Sequence, residues 1–353
     1  MLVATPHWSP NGAFWRRKTV AVAGATGFLG GWLVRRLLEL DAHVVALLRD
    51  PLKPSQVVLE GLLDRTIVEQ GSLDDPLFLE HLFTRHTIDV FLHAASEADV
   101  TQVLHHPVAC FRSSALSTWF LLDVIRRRQP RCIAIVSSSD KAYGSQSLPF
   151  RESSALMPVH PYEVAKASQD LAAQSFGAVY GLPVGVTRCA NYFGPYDLNF
   201  TRLIPGVCRS LAAGDAPRLR SDGRFTRDFL YIEDAVEVQL LLAERLAEEA
   251  SLHGQPFNFS YGDQMEVLDV VRRLMEIVGA TGTPVVENTV QTEIRHMHLS
   301  SEKAERLLQW QPRVGFDDGL RRTVDWYVAF CGRDGTSALP QAPVPVEAPA
   351  GSD

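Results

Sequence analysis

The strongest constraint on the fold is a rhythm in the first 190 residues. Short apolar runs alternate with longer amphipathic ones. The short runs are TVAVAG (19–24), HVVALL (43–48), TIVEQ (66–70), DVFLHAA (89–95), CIAIVS (132–137) and PVGVTR (183–188). The longer runs lie at 30–40, 76–86, 107–128 and 161–181. A strand with one wet face alternates apolar and polar residues. Strands apolar at consecutive positions are buried on both faces, and helices between them supply the cover. The pattern therefore predicts a parallel sheet of βαβ units, which binds ligands where strands end and helices begin. After Arg188 the rhythm loosens, with helical stretches expected at 201–213, 233–248, 266–278 and 317–331.

The first strand runs straight into GATGFLGG. Gly24, Gly27 and Gly30 stand as GxxGxxG. Glycine lets a strand-to-helix turn close tightly and lets backbone approach a pyrophosphate, which the positive N-terminus of the next helix then faces. This spacing differs from the usual GxGxxG, but its place at the first βα turn points to a dinucleotide. The fold class expected is α/β: a Rossmann-type doubly wound parallel sheet with a smaller C-terminal α/β substrate-binding domain. The NAD(P)-binding domain is placed at 18–190. Residues 191–332 form mainly the substrate-binding domain, with about 229–250 returning to the Rossmann core. Gly24, Thr26, Gly27, Phe28, Leu29 and Gly30 are the cofactor-binding residues expected at this turn. Arg49 suits a 2′-phosphate and Asp50 a ribose 2′-hydroxyl, so NAD and NADP both stay open.

Composition excludes several classes. Of 353 residues 46% are hydrophobic and 21% charged, with a net charge of −7, which suits a globular enzyme and gives nucleic acid no basic surface. No CxxC or other metal-ligand spacing occurs among the five cysteines. No apolar stretch is read as approaching the ~18 residues of a membrane span. Residues 1–17 lack the pattern of a signal peptide and read as a flexible extension, and 333–353, rich in Pro and Ala, as a disordered tail. A cytoplasmic protein is expected.

HPYEVAKAS puts Tyr162 and Lys166 four apart, on one face of a helix. An ammonium near a phenol favours the phenolate and would make Tyr162 a general base near neutral pH. With the glycine loop, this pair makes a recognisable set. Together with FLHAAS, VSSSDKAYG, RCANYFGP, RDFLYIEDA and KAERLLQWQP, it resembles the extended short-chain dehydrogenase/reductases, in the nucleotide-sugar epimerase and dehydratase group, over roughly 18–330.

That resemblance implies a hydride-transfer set of Ser139, Tyr162 and Lys166 and a tightly bound, recycled NAD or NADP. Tyr162 would take the proton from the sugar 4-hydroxyl, Ser139 would hold that oxygen, and Lys166 would hold the nicotinamide ribose. Ala94 and Ala95 would line the cofactor. Asn191, Arg202 and Arg227 would contact a nucleotide-diphosphate sugar, and the helices at 107–128 and 161–180 would pair in a homodimer.

Asp140 and Lys141 narrow the reading further. Once C4 is a ketone, a base must remove the C5 proton and an acid must protonate the departing 6-hydroxyl. Many 4,6-dehydratases use Asp-Glu at this place, and Asp-Lys is similar to the CDP-glucose 4,6-dehydratases. Asp140 would be the acid. Lys141 would be the C5 base or an electrostatic stabiliser of the enolate. Two departures, Gly71-Ser72 for a common Gly-Asp and Ser114 for a common Asn, leave 5,6-dehydration open. A C4 epimerase and a cofactor-binding regulator without turnover are the alternatives.

Overall fold

The computed structural model describes residues 8–97, 100–289 and 293–334. The first strands are β1 (Thr19–Ala23), β2 (His43–Leu48), β3 (Ile67–Gln70), β4 (Val90–His93), β5 (Ile133–Ser137) and β6 (Val184–Cys189). Each lies within a residue or two of an apolar run in the sequence. Four short strands follow: β7 (Asn191–Phe193), β8 (Arg218–Leu219), β9 (Thr226–Arg227) and β10 (Phe229–Tyr231). The last are β11 (Pro256–Phe259), β12 (Met265–Glu266) and β13 (Val285–Val286).

The main sheet has seven strands in the order β11-β6-β5-β4-β1-β2-β3, and every pairing is parallel. The consecutive apolar runs divide by parity between two cores. Val20, Val22, Val44, Ala46 and Leu92 face a cluster shared with Leu33 and Leu37 of helix Phe28–Glu39 and Leu241 of helix Ile232–Glu248. Ala21, Ala23, Val45, Leu47 and Phe91 face the other cluster, with Leu79, Leu82, Leu121 and Ile125. Both faces are therefore dry over the central strands, but the edge strand β3 is not: Ile67 and Val68 are 48% and 41% exposed, so that run is not buried as the sequence pattern led one to expect. The strand order reverses between β1 and β4, so the crevice at their carboxyl ends is the expected ligand position.

Three expectations change. Residues 11–15 are not loose: Asn11 caps a helical turn Gly12–Trp15, and Trp15 is fully buried with its Nε1 donating to Glu244 Oε1 at 2.6 Å. An indole needs such a partner when buried, and helix Ile232–Glu248 offers it. The second change concerns 107–128. It is long and apolar enough, at 22 residues, to cross a membrane by those measures, but half of the window is buried inside the fold. It packs against Pro76–Arg85 and Pro161–Tyr180 as a core element. The third is a π turn at Arg112–Leu116 inside that run. There Ser117 Oγ and Thr118 Oγ1 donate back to the Ser113 and Ser114 carbonyls at 2.8 and 2.6 Å, hydroxyl bonds that distort helices. Residues 1–7 and the tail from 335 lie outside the described residues.

Candidate active site

The chain leaves β1 through a turn in which Gly24 has φ +79°. A Cβ there would lie 2.9 Å from the backbone of Ala95, and one on Gly30 would lie 2.0 Å from the Gly24 carbonyl oxygen. These two glycines let β1, the end of β4 and the helix converge. Gly27 caps helix Phe28–Glu39 with no side-chain hydrogen bond, so the first N–H groups open on the carboxyl end of β1. Ala94 follows β4, its N–H on the Ala23 carbonyl at 3.1 Å. Leu29 turns its side chain into the core, leaving only its backbone toward the turn. Arg49 and Asp50 sit exposed just past β2, and Asp50 Oδ1 accepts from the Leu52 N–H at 2.9 Å, closing a local turn.

Ser139 ends the extended segment after β5 and caps the 3₁₀ turn Asp140–Tyr143, accepting from the Lys141 N–H at 3.2 Å. Its Oγ donates to Asp140 Oδ1 at 2.9 Å. Asp140 is buried, and its Oδ2 has no hydrogen-bond partner. Burial raises its pKa to about 6, against the pull of Lys141 and Ser139. Lys141 moves the opposite way, its pKa lowered by burial. Its Nζ lies 5.8 Å from the centre of the Tyr162 ring. A carboxyl that can hold its proton near neutrality thus stands next to an amine pushed toward its neutral form, the opposed pair that acid–base elimination needs.

Helix Pro161–Tyr180 starts on a strong stop. His160 Nδ1 accepts from the Tyr162 N–H at 3.1 Å, Glu163 Oε2 accepts from the His160 N–H at 3.2 Å, and Pro161 takes the first helical position. This holds Tyr162 near Ser139, which acts to lower the Tyr162 pKa. Lys166, one turn on, donates to the Ser137 carbonyl at 2.7 Å. Burial brings its pKa down to about 8.

The expectation that Lys166 lowers the Tyr162 pKa is not met. Burial dominates and raises Tyr162 to about 12; the cation that opposes this is Arg202, not Lys166. Arg202, held by Asp197 at 3.0 Å, therefore stands closer to the chemistry than its place in the sequence suggests. Asn191 donates to the Asp228 carbonyl at 3.1 Å. Arg227 is clamped: one terminal nitrogen donates to the carbonyls of Thr226, Ile294 and Arg295, and the other to Glu293 Oε2 at 2.9 Å.

Several neighbours were not visible in the sequence. Lys141, Tyr162 and Arg227 share one small cavity with His160, Glu163, Glu293 and Met297. Glu293 and Met297 arrive on a segment that returns over β9, where the Thr226 N–H donates to the Arg295 carbonyl and the Met297 N–H to the Thr226 carbonyl. Ser114, at the π turn, shares a 3.0 Å hydrogen bond with Ser96.

Comparison with known proteins agrees with this architecture. The chain is similar to dTDP-glucose 4,6-dehydratase of Shigella flexneri, 28% identical, with 88% of this chain and 92% of that one covered. It is similar to human dTDP-D-glucose 4,6-dehydratase at 26%, covering 91% and 92%. Among solved structures, a dTDP-glucose 4,6-dehydratase from Streptomyces venezuelae with NAD bound superposes with a TM-score of 0.80 at 27% identity, covering 89% and 98%. UDP-glucose 4-epimerase of Thermotoga maritima does so at 0.79 and 26%, covering 88% and 99%. The sequence model described as GDP-mannose 4,6 dehydratase matches residues 21–323, and the chain belongs to that family.

Proposed function

We propose that this chain is a nucleotide-sugar 4,6-dehydratase that uses NAD or NADP. The observation that carries the reading is the placement of Asp140 and Lys141, with opposed pKa shifts, directly beside Ser139 and Tyr162. An epimerase needs the last two and has no use for the first pair.

The residues present fit the cofactor. Gly24 and Gly30 keep the turn free of side chains, and the uncapped helix start at Gly27 suits a pyrophosphate. Lys166 suits the nicotinamide ribose. The nicotinamide would take the hydride from C4 and give it back to C6 once water has left. The protein does the rest. Ser139 holds the C4 oxygen, Tyr162 takes its proton, and Arg202 favours the charge that Tyr162 then carries. Lys141 removes the C5 proton and returns one to C5 when the hydride reaches C6, and Asp140 delivers a proton to the leaving 6-hydroxyl. Arg202, Asn191 and Arg227 lie on the substrate side, in the smaller domain we assign to 191–332.

The expected product is a 4-keto-6-deoxy nucleotide sugar, lighter than the substrate by one water. Incubation with dTDP-, CDP-, UDP- and GDP-glucose, followed by mass spectrometry, reads this directly. Unchanged mass with altered stereochemistry would establish an epimerase instead. Lys141→Ala is expected to slow water loss by ~10²-fold or more while leaving cofactor binding intact. Unimpaired dehydration in that variant removes Lys141 from the mechanism.

We also propose a homodimer. Leu104, Val108, Trp119, Leu171, Val179 and Tyr180, on or beside the 107–128 and 161–180 helices, leave 46–69% of their surface exposed. Such a patch on two packed helices suits a second copy. Sedimentation is expected to show twice the 39.1 kDa chain, and a single-chain mass rejects the pairing.

A further inference from the structure

Among the cavity-lining groups that neither the sequence motifs nor the resemblance assigns, Glu293 is the acidic one outside helix Pro161–Tyr180. It comes from far along the chain and its carboxylate is held at two points. Arg227 Nη2 donates to Oε2 at 2.9 Å, and Arg220 Nη2 lies 3.8 Å from Oε1. Arg227 in turn is fixed by three backbone carbonyls, two of them from the residues directly after Glu293. The carboxylate therefore has little freedom. It shares with Lys141 a cavity of about 10 Å³, room for roughly one water.

We infer that Glu293 is a positioning residue that sets the protonation range in which Lys141 works, through a carboxylate locked by Arg227. The inference rests on the dehydratase reading for its consequence, because an elimination base must be neutral when it acts.

The charges facing Lys141 come from every side. Asp140 is its neighbour, Glu163 comes from the start of helix Pro161–Tyr180, and Glu293 and Arg227 come from the smaller domain. His160 and Tyr162 complete the wall. Burial favours the neutral amine and Arg227 adds to that. Among the charged groups Glu293 is the largest opposing influence, ahead of Asp140 and Glu163. Without it, Arg227 would also lose its counter-charge. Both effects push Lys141 the same way, toward losing its proton at lower pH.

Competitive labelling with trace acetic anhydride across pH, with the Lys141 peptide read by mass spectrometry, measures the titration without any turnover. In Glu293→Gln the midpoint is expected to fall by about one pH unit or more. The Gln carbonyl still accepts from Arg227, so the segment stays in place. Glu293→Ala leaves the three backbone carbonyls on Arg227 and must move the midpoint in the same direction. Glu293→Asp is expected to stay near the parent value. A midpoint that stays or rises in both Gln and Ala variants overturns the inference. A chain that makes no 4-keto product overturns the dehydratase reading, while the labelling still decides the role of Glu293. Where product is made, the acidic limb of its kcat/KM profile is expected to shift down with the midpoint.

Discussion

Replacing Tyr162 by Phe is expected to reduce dehydration by ~10²–10⁴-fold, with cofactor binding preserved. The ring keeps its place, because the helix start that positions it is made by His160, Pro161 and Glu163 and not by the phenol. Only the hydroxyl is lost, and with it the acceptor for the 4-hydroxyl proton. The readout is reduced cofactor formed in a single turnover, beside the 4-keto product. A variant that retained more than a tenth of the rate would show that another group takes that proton. The pKa of about 12 sharpens the expectation. Burial disfavours the phenolate that must accept this proton, so the base depends on a neighbouring cation as well as on its own hydroxyl. Arg202 is the one whose charge opposes the burial effect.

The second large effect concerns stability. Arg188 and Asp170 form a fully buried pair, Nε to Oδ2 at 2.8 Å and Nη2 to Oδ1 at 2.9 Å. The third nitrogen donates to the Tyr143 hydroxyl at 2.8 Å, which donates on to Asn258 Oδ1 at 2.8 Å. The chain of bonds ties β6, helix Pro161–Tyr180, the turn after β5 and β11 together. Asp170→Ala leaves a guanidinium in the interior with only a neutral partner. The expected loss is about 3–5 kcal/mol, measured by chemical denaturation. Replacing both residues by Leu and Met is expected to cost less than the single change, because no charge is then left buried. An exposed-pair value, below about 1 kcal/mol, would mean that water reaches the site in the folded protein.

Five of the first six strands were legible because a doubly covered parallel strand shows itself as consecutive apolar residues; β3 was found in the same way although it is exposed at the sheet edge. The glycine turn and the Tyr162–Lys166 spacing could be read because each sits in a short stretch of sequence with a strong local geometry, whereas Ser139 was singled out only by the resemblance. Other parts had no local signal. β11, PFNF, is four residues long and follows Gly254, and only its pairing with β6 defines it. Glu293 reaches the site through backbone bonds between 226 and 295–297, a separation no periodicity announces. Arg188 reads in sequence as the polar end of a strand; its burial follows from Asp170, 18 residues earlier and on another element. The expected lowering of the Tyr162 pKa failed for a related reason. Spacing on a helix places Lys166 one turn away, but its ammonium is drawn to the Ser137 carbonyl.

The strand β11 also bears on how the molecule is made. It closes the edge of β6 using residues about 70 positions further along the chain. Until they emerge from the ribosome, β6 presents a row of free N–H and C=O groups bordered by dry side chains, the surface on which chains pair with each other. Strand β5, which leads to Ser139, is therefore one strand away from an unfinished border until residues 256–259 have been made. A nascent chain stopped near residue 250 would already carry every residue of the Ser139, Tyr162 and Lys166 set and still be a sheet in search of its last neighbour.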